Sequence, residues 1–366
     1  MKKNIADFFD TDTFDESDSV KSPPEDVVAY NELRSCADIL RMYQKKQLDI
    51  KPDFQRNEVW SLAAKTRFID SLTKQLPIPS MCISLDNSTG KRQVIDGLQR
   101  ISSIILFLNN SDFRLSELDD VDVRLSGKTA LEIQEQFSQL YETVENATIP
   151  VTIVRCDYSK PSHQEYLFTI FHRLNSGGVR LNNQEIRNGI YGGVFNDLLK
   201  NIVKSESFVK LFNLQSSKRK NNNDRFKYEE VVLRFFAFGS QLDKYEGKLA
   251  SFLNNFMSLK KREPPSVIEC NEMQIHAEMT AELIFQKILD NKPVKNISAT
   301  VFEAVFIGVG ANFEYLKQIE ASECQLLLNK LLDEVEFSTA NLQEGLAQKA
   351  KLVARINKAK KIFSGI

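Results

Sequence analysis

Apolar and polar positions alternate with two different periods along the chain, and the change of period divides it. Between residues 28 and 158, short β-branched runs are interleaved with helical patterns. The runs Ser80 to Leu85, Gln93 to Ile95 and Ile149 to Cys156 read as strands, and Asp86-Asn-Ser-Thr-Gly90 reads as a hairpin turn joining the first two. Leu33 to Tyr43 reads as a helix. Ala64 to Leu76 reads as another, with Phe68, Ile69, Leu72 and Leu76 on one face, stopped by Pro77-Ile-Pro79. A third follows Asp96-Gly97, where Ile101, Ile104, Ile105 and Leu108 recur at i, i+3, i+4 and i+7.

Beyond His163 the helical period takes over. Leu167, Ile170, Phe171 and Leu174 share one face, and Asn175-Ser-Gly177-Gly178 stops that helix. Asn182 with Glu185 forms a capping-box pattern opening a helix over Gln184 to Tyr191. Further helices are expected at Glu229 to Phe238, His276 to Leu289, Phe302 to Gln318 and from Glu344 to the end. The class is therefore α+β, with a small mixed-sheet domain over 28–160 and an all-α domain over 161–366. Residues 1–27, rich in Asp, Glu and Ser, read as a disordered acidic tail.

Composition narrows the function classes. With 48 basic and 49 acidic side chains and a formal net charge of -1, the chain is not a globally basic nucleic-acid binder. Five scattered cysteines without a C-x-x-C pair read as reduced thiols, neither a disulfide framework nor a zinc site. No apolar run reaches the ~18 residues of a membrane span, and the amino terminus turns acidic too early for a signal peptide. A soluble, cytoplasmic protein without a membrane partner is expected. His163, His172 and His276 have no partner at metal-ligand spacing. Ser126-Gly-Lys-Thr129 mimics the end of a P-loop, but Asp122 stands where the earlier glycine belongs.

Four loops carry candidate chemistry. Asp96-Gly97-Leu98-Gln99-Arg100 runs from a strand into a helix whose free N–H groups and positive dipole end attract anions, and Arg100 adds a forked cation. The alternative is a surface turn with Asp96 as cap. In Asp53-Phe-Gln55-Arg56-Asn57-Glu58-Val-Trp60, Arg56 can meet a phosphate and Trp60 can stack a base; the alternative is an aromatic anchor. Asn175 to Asn188 places Gly177, Gly178, Glu185 and Arg187 around another helix start. Lys218, Arg219, Lys220 and Arg225 form a basic loop that is either a weak nucleic-acid contact or a solvated surface. The basic segment Gln348 to Ile366 is either a nucleic-acid surface or an amphipathic end helix packed through Leu352, Val353, Ile356 and Phe363.

Taken in order, five blocks resemble the amino-terminal domain of GmrSD-type modification-dependent restriction enzymes, whose core is similar to ParB and sulfiredoxin. They are Asp53 to Trp60, Ile69-Asp-Ser-Leu with Pro77-Ile-Pro79, Val94 to Arg100, Phe171 to Gly178, and Leu181 to Asn188. The resemblance runs from about residue 30 to about 240. It implies a nucleotide-binding, NTP-hydrolysing module of phage defence that senses DNA or regulates a nuclease. Its D-G-Q-Q-R block falls on Asp96, Gly97, Leu98, Gln99 and Arg100, with Leu98 in place of the first glutamine. Its other blocks fall on Gln55 and Arg56, and on Asn175, Gly177, Gly178, Glu185, Arg187 and Asn188.

The roles that follow are phosphate neutralisation by Arg56, Arg100 and Arg187, and Mg2+ binding or water positioning by Asp96. Gln99 and Asn175 would give neutral hydrogen bonds. Many relatives continue into a histidine-asparagine-histidine nuclease domain, and a stand-alone form without it is expected here. The leading expectation is a stand-alone regulator or sensor using an NTP with Mg2+ and working on DNA with a separate nuclease subunit. The alternatives are a non-catalytic DNA- or protein-binding module and a ParB-like nuclease.

Overall fold

The computed structural model describes residues 22–50, 60–109, 112–174, 182–214, 225–295 and 297–365. It divides into two compact units, one ending before Asn182 and one running from Asn182 onward. The elements of the first unit are β1 (Val28–Ser35), α1 (Cys36–Gln44), β2 (Leu48–Asp49), α2 (Leu62–Thr73), β3 (Met81–Asp86), β4 (Arg92–Asp96) and α3 (Leu98–Asn109). They continue with α4 (Ala130–Gln136), α5 (Ser138–Asn146), β5 (Thr148–Cys156) and α6 (Pro161–Leu174).

Among the described residues the sheet has five strands in the order β1-β5-β3-β4-β2. β1 runs antiparallel to β5 and β3 antiparallel to β4, while β3 with β5 and β2 with β4 are parallel, so the sheet is mixed. Alternation sets its faces. Met81, Ile83, Val94, Ile149, Val151 and Ile153 point to one side, where Ile39, Ile69, Ile101, Ile104, Phe107, Ile133 and Val144 of the helices complete the core. α6 packs against β4, and its buried Leu167, Phe168 and Phe171 lie outside that core.

The helix expected from Leu33 begins only at Cys36, because Leu33 to Ser35 pair with Pro150 to Thr148 as the end of β1. Ser35 is the cap: its extended backbone ends the strand and its hydroxyl accepts from Asp38 N–H. β1 escaped the sequence reading because its polar and apolar residues lack a clean period. At its start, Asp26 accepts from Lys160 and meets His163 Nε2 at 2.8 Å, which ties this segment to α6. The false P-loop is structural: Thr129 caps α4 in a capping box with Glu132, and Arg114 bridges Gly127 O and Glu132.

The second unit is helical. Its elements are α7 (Asn183–Ile190), α8 (Val194–Lys204), α9 (Glu206–Phe212), α10 (Arg225–Gln241), α11 (Leu249–Arg262), α12 (Val267–Leu283), α13 (Ala299–Ala311), α14 (Phe313–Gln318), α15 (Ala321–Leu332) and α16 (Lys349–Phe363). Phe208, Phe212, Phe235, Phe302 and Phe306 stack into a continuous aromatic core. α16 is the amphipathic end helix. Leu352, Ile356 and Phe363 are buried, and Lys351 and Lys358 reach Glu344 O and Glu334. All five cysteines are free, and no helix among the described residues is long and apolar enough to cross a membrane.

Candidate phosphate site at the start of a helix

β4 contains an extra residue. Ile83 pairs with Val94, but Cys82 pairs with Asp96, so Ile95 is a bulge. The bulge decides where Asp96 points. Val94 faces the core, and a regular strand would turn Asp96, two residues on, the same way; opposing Cys82 instead, Asp96 faces the other side of the sheet. Burial, with the Asp96 charge as a lesser cause, pushes the Cys82 thiol up to about 12, so the thiol stays protonated.

Gly97 makes the turn into α3. Its φ of +92° suits glycine, and a Cβ there would stand 2.7 Å from Met81 Cγ, so the turn is fitted against the strand that precedes it. α3 then starts at Leu98, and the first helical hydrogen bond recorded runs from Ile101 N–H to Gly97 O. Leu98 packs against the hydrophobic core. Arg100 folds back over the turn. One of its nitrogens donates to Pro79 O, and the other lies 3.0 Å from Asp96 Oδ2 and 3.5 Å from Ser80 O. The pair is not sealed: the Asp96 side chain is 38% exposed and that of Arg100 14%. Gln99 turns toward Trp60, whose N–H donates to Gln99 Oε1 at 3.4 Å, and the Trp60 ring packs edge-on against Phe68 at 5.6 Å.

Trp60, Asp96, Gly97, Gln99 and Arg100 thus gather in the first unit. Gln55, Arg56, Asn175, Gly177, Gly178, Lys218, Arg219 and Lys220 lie outside the described residues, as does the Arg225 side chain. Among the described residues, no group of three or more His, Cys, Asp or Glu side chains is arranged to hold a metal ion.

Glu185, Arg187 and Asn188 belong to the second unit and are buried there. Asn182 and Glu185 form the expected capping box, with Asn182 N–H to Glu185 Oε2 at 2.6 Å and Glu185 N–H to Asn182 Oδ1 at 2.8 Å. Arg187 is 0% exposed. It donates to Asn254 Oδ1 at 2.9 Å, Glu230 Oε2 at 3.2 Å and Gln184 Oε1 at 3.4 Å. Asn188 donates to Glu229 at 2.6 Å. The chain of charges continues through Glu230 to Arg234 and on to Glu303, linking α7, α10, α11 and α13. Sequence reasoning missed Glu230, Arg234 and Glu303. A usable signal existed: Arg234 and Glu303 each sit inside an otherwise apolar helical run, where a charge needs a partner.

Residues 36–192 match the family model described as the GmrSD restriction endonuclease N-terminal domain. No curated protein and no solved structure gives a match.

Proposed function

We propose that this chain, whose residues 36–192 form a GmrSD restriction endonuclease N-terminal domain, binds the phosphates of a nucleoside triphosphate at the start of α3 and hydrolyses it. The match to that domain supports a place for the chain in a restriction, anti-phage system. Within that system we assign it the part of a nucleotide-dependent regulator or sensor acting on DNA with a separate nuclease.

The observation that carries this reading is the Ile95 bulge together with the Gly97 turn. They bring the Asp96 carboxylate and the Arg100 guanidinium to the first turn of a twelve-residue helix. The N–H groups of that turn and the helix dipole receive phosphate oxygens. Arg100, anchored by Pro79 O and Ser80 O, supplies positive charge in a fixed direction. Asp96 then orients the attacking water or holds Mg2+. A single carboxylate suits Mg2+, which takes its other ligands from water and phosphate oxygens and neutralises the charge developing on them. Gln99 holds the Trp60 backbone beside the turn, while the Trp60 ring packs on Phe68 and the core. Arg187, engaged by Glu230, Asn254 and Gln184, is given a structural part in the second unit.

The test is phosphate release by the pure protein with each NTP and Mg2+, with and without DNA. Asp96→Ala should abolish release; unchanged turnover would remove Asp96 from the mechanism. One observation favours a second reading. Leu98 packs on the core where the family carries glutamine, so the position offers no polar group to water. Nucleotide binding without phosphate release would select that non-catalytic module.

A further inference from the structure

The face of the sheet onto which the bulge turns Asp96 carries more than the phosphate turn. Strand register aligns Asp96, Cys82, Thr152 and Asn31 in one row across β4, β3, β5 and β1. Three strand spacings of ~4.8 Å make that row about 14 Å long, the scale of an extended nucleotide. Beside it lie Ser80, one residue before β3, and the cross-strand pair Pro150 and Leu33. The polar groups are connected. Thr152 Oγ1 donates to Asn31 Oδ1 at 2.9 Å and stands 3.2 Å from Ser80 Oγ, while the Ser80 carbonyl faces Arg100.

The row is exposed at Asn31, half-buried at Thr152 and Asp96 and buried at Cys82, and the face closes further along the strands. Ser84, two residues beyond Cys82 on the same face, is capped by the Tyr158 hydroxyl, and Gln164 of α6 holds Tyr158 O at 2.6 Å. Ser80 and Asn31 are exposed, and Leu33 is 68% exposed. A solvated outer face would account for the hydroxyls. Leu33 and Pro150, opposite each other on β1 and β5, set apolar surface beside them.

We propose that Ser80, Thr152 and Asn31 bind the ribose hydroxyls, and Leu33 with Pro150 the base, of the nucleotide whose phosphates sit at α3. This placement rests on the phosphate reading above. The Ser80 hydroxyl donates to Met81 O at 3.2 Å and keeps an oxygen that can accept, and with Thr152 donating to Asn31 the Asn31 Nδ2 hydrogens can donate, so the two together match sugar hydroxyls, which both donate and accept. Trp60 then serves the phosphate turn and that apolar surface serves the base.

Calorimetric titration of the full chain with ATP, GTP, CTP and UTP, each compared with inorganic tripolyphosphate, tests it. The preferred nucleotide should bind more tightly than tripolyphosphate. Thr152→Val, Asn31→Ala and Leu33→Ser should each cut that ratio about three- to tenfold, the effect of one lost hydrogen bond or contact. Leu33→Ser changes an exposed side chain, so it cannot fail merely by unfolding the unit. An unchanged ratio in all three variants would overturn the subsite while leaving the phosphate reading standing. Failure of wild-type protein to bind either tripolyphosphate or any NTP would overturn the phosphate reading and the subsite with it.

Discussion

Gly97→Ala isolates the geometry on which the site depends. At φ +92° an alanine carries left-handed backbone strain of about 1–2 kcal/mol. Its Cβ would also lie 2.7 Å from Met81 Cγ and 3.0 Å from Met81 Cβ. Met81 is fully buried, so relief must come from the core, at about 1–3 kcal/mol for overpacking. Lost freedom of the unfolded chain returns about 0.4–1 kcal/mol, leaving a net loss of roughly 2–4 kcal/mol. Gly90 is the control. Its φ is +68°, but nothing lies within 4 Å of the added Cβ, so Gly90→Ala should cost no more than about 1–2 kcal/mol. Trp60 is the only tryptophan and packs on this unit's core, so its emission follows this unit through urea unfolding. With a slope of ~2 kcal/mol per molar, Gly97→Ala should lower the midpoint by about 1–2 M. Equal midpoints for the two variants would refute the fitted contact with Met81.

In the second unit, Glu230→Gln removes a carboxylate shared by Arg187 and Arg234 and should cost about 3–5 kcal/mol, seen as a lowered midpoint of helical circular dichroism. A loss under about 1 kcal/mol would mean that water reaches those guanidinium groups. Asp96→Ala should change the unfolding free energy read from Trp60 emission by less than about 1 kcal/mol, since its pair with Arg100 is partly exposed; a larger loss would make the pair structural. Hydrogen bonds from Lys160 and then His163 hold the Asp26 carboxyl at about 2, below its ordinary 3.8. A depressed folded value stabilises the folded state above the ordinary value and is lost as pH falls through the folded one. The tie between Asp26 and α6 should therefore hold above about pH 4 and release toward pH 2, with Lys160→Ala raising the midpoint of an NMR titration of Asp26. A midpoint at 3.8 in wild-type protein would refute the tie.

Strands β3, β4 and β5 and the first turn of α3 were legible because each is a dense run of β-branched or periodic apolar residues between turn signals. The helix of residues 64–76 was legible in the same way and is observed at Leu62–Thr73. β1 was not. It lies at the sheet edge with most of its side chains half-buried or exposed, so burial imposes no alternation on Val28 to Ser35. The pair Leu48–Asp49 is too short to carry a pattern, and α4 and α5 have only two buried residues each.

The candidate site was legible as residue types and illegible as direction. Asp96 and Val94 have the spacing of two residues on one face; only the cross-strand register, one residue longer on β4 than on β3, separates them. A bulge leaves no mark in a single sequence, because the extra residue is an ordinary isoleucine. Arg100 and Arg187 pose the same problem. Both follow a helix start by one turn beside an amide or acid, and both look equally suited to phosphate. The helix of Arg100 begins at a sheet rim with carbonyls of Pro79 and Ser80 and one part-exposed carboxylate as partners. The helix of Arg187 is covered on every side and meets Glu230, so an anion reaching it would have to displace a buried carboxylate. What marks Arg187 as structural is the buried carboxylate supplied by α10, forty or more residues away in the chain, and no local motif contains it.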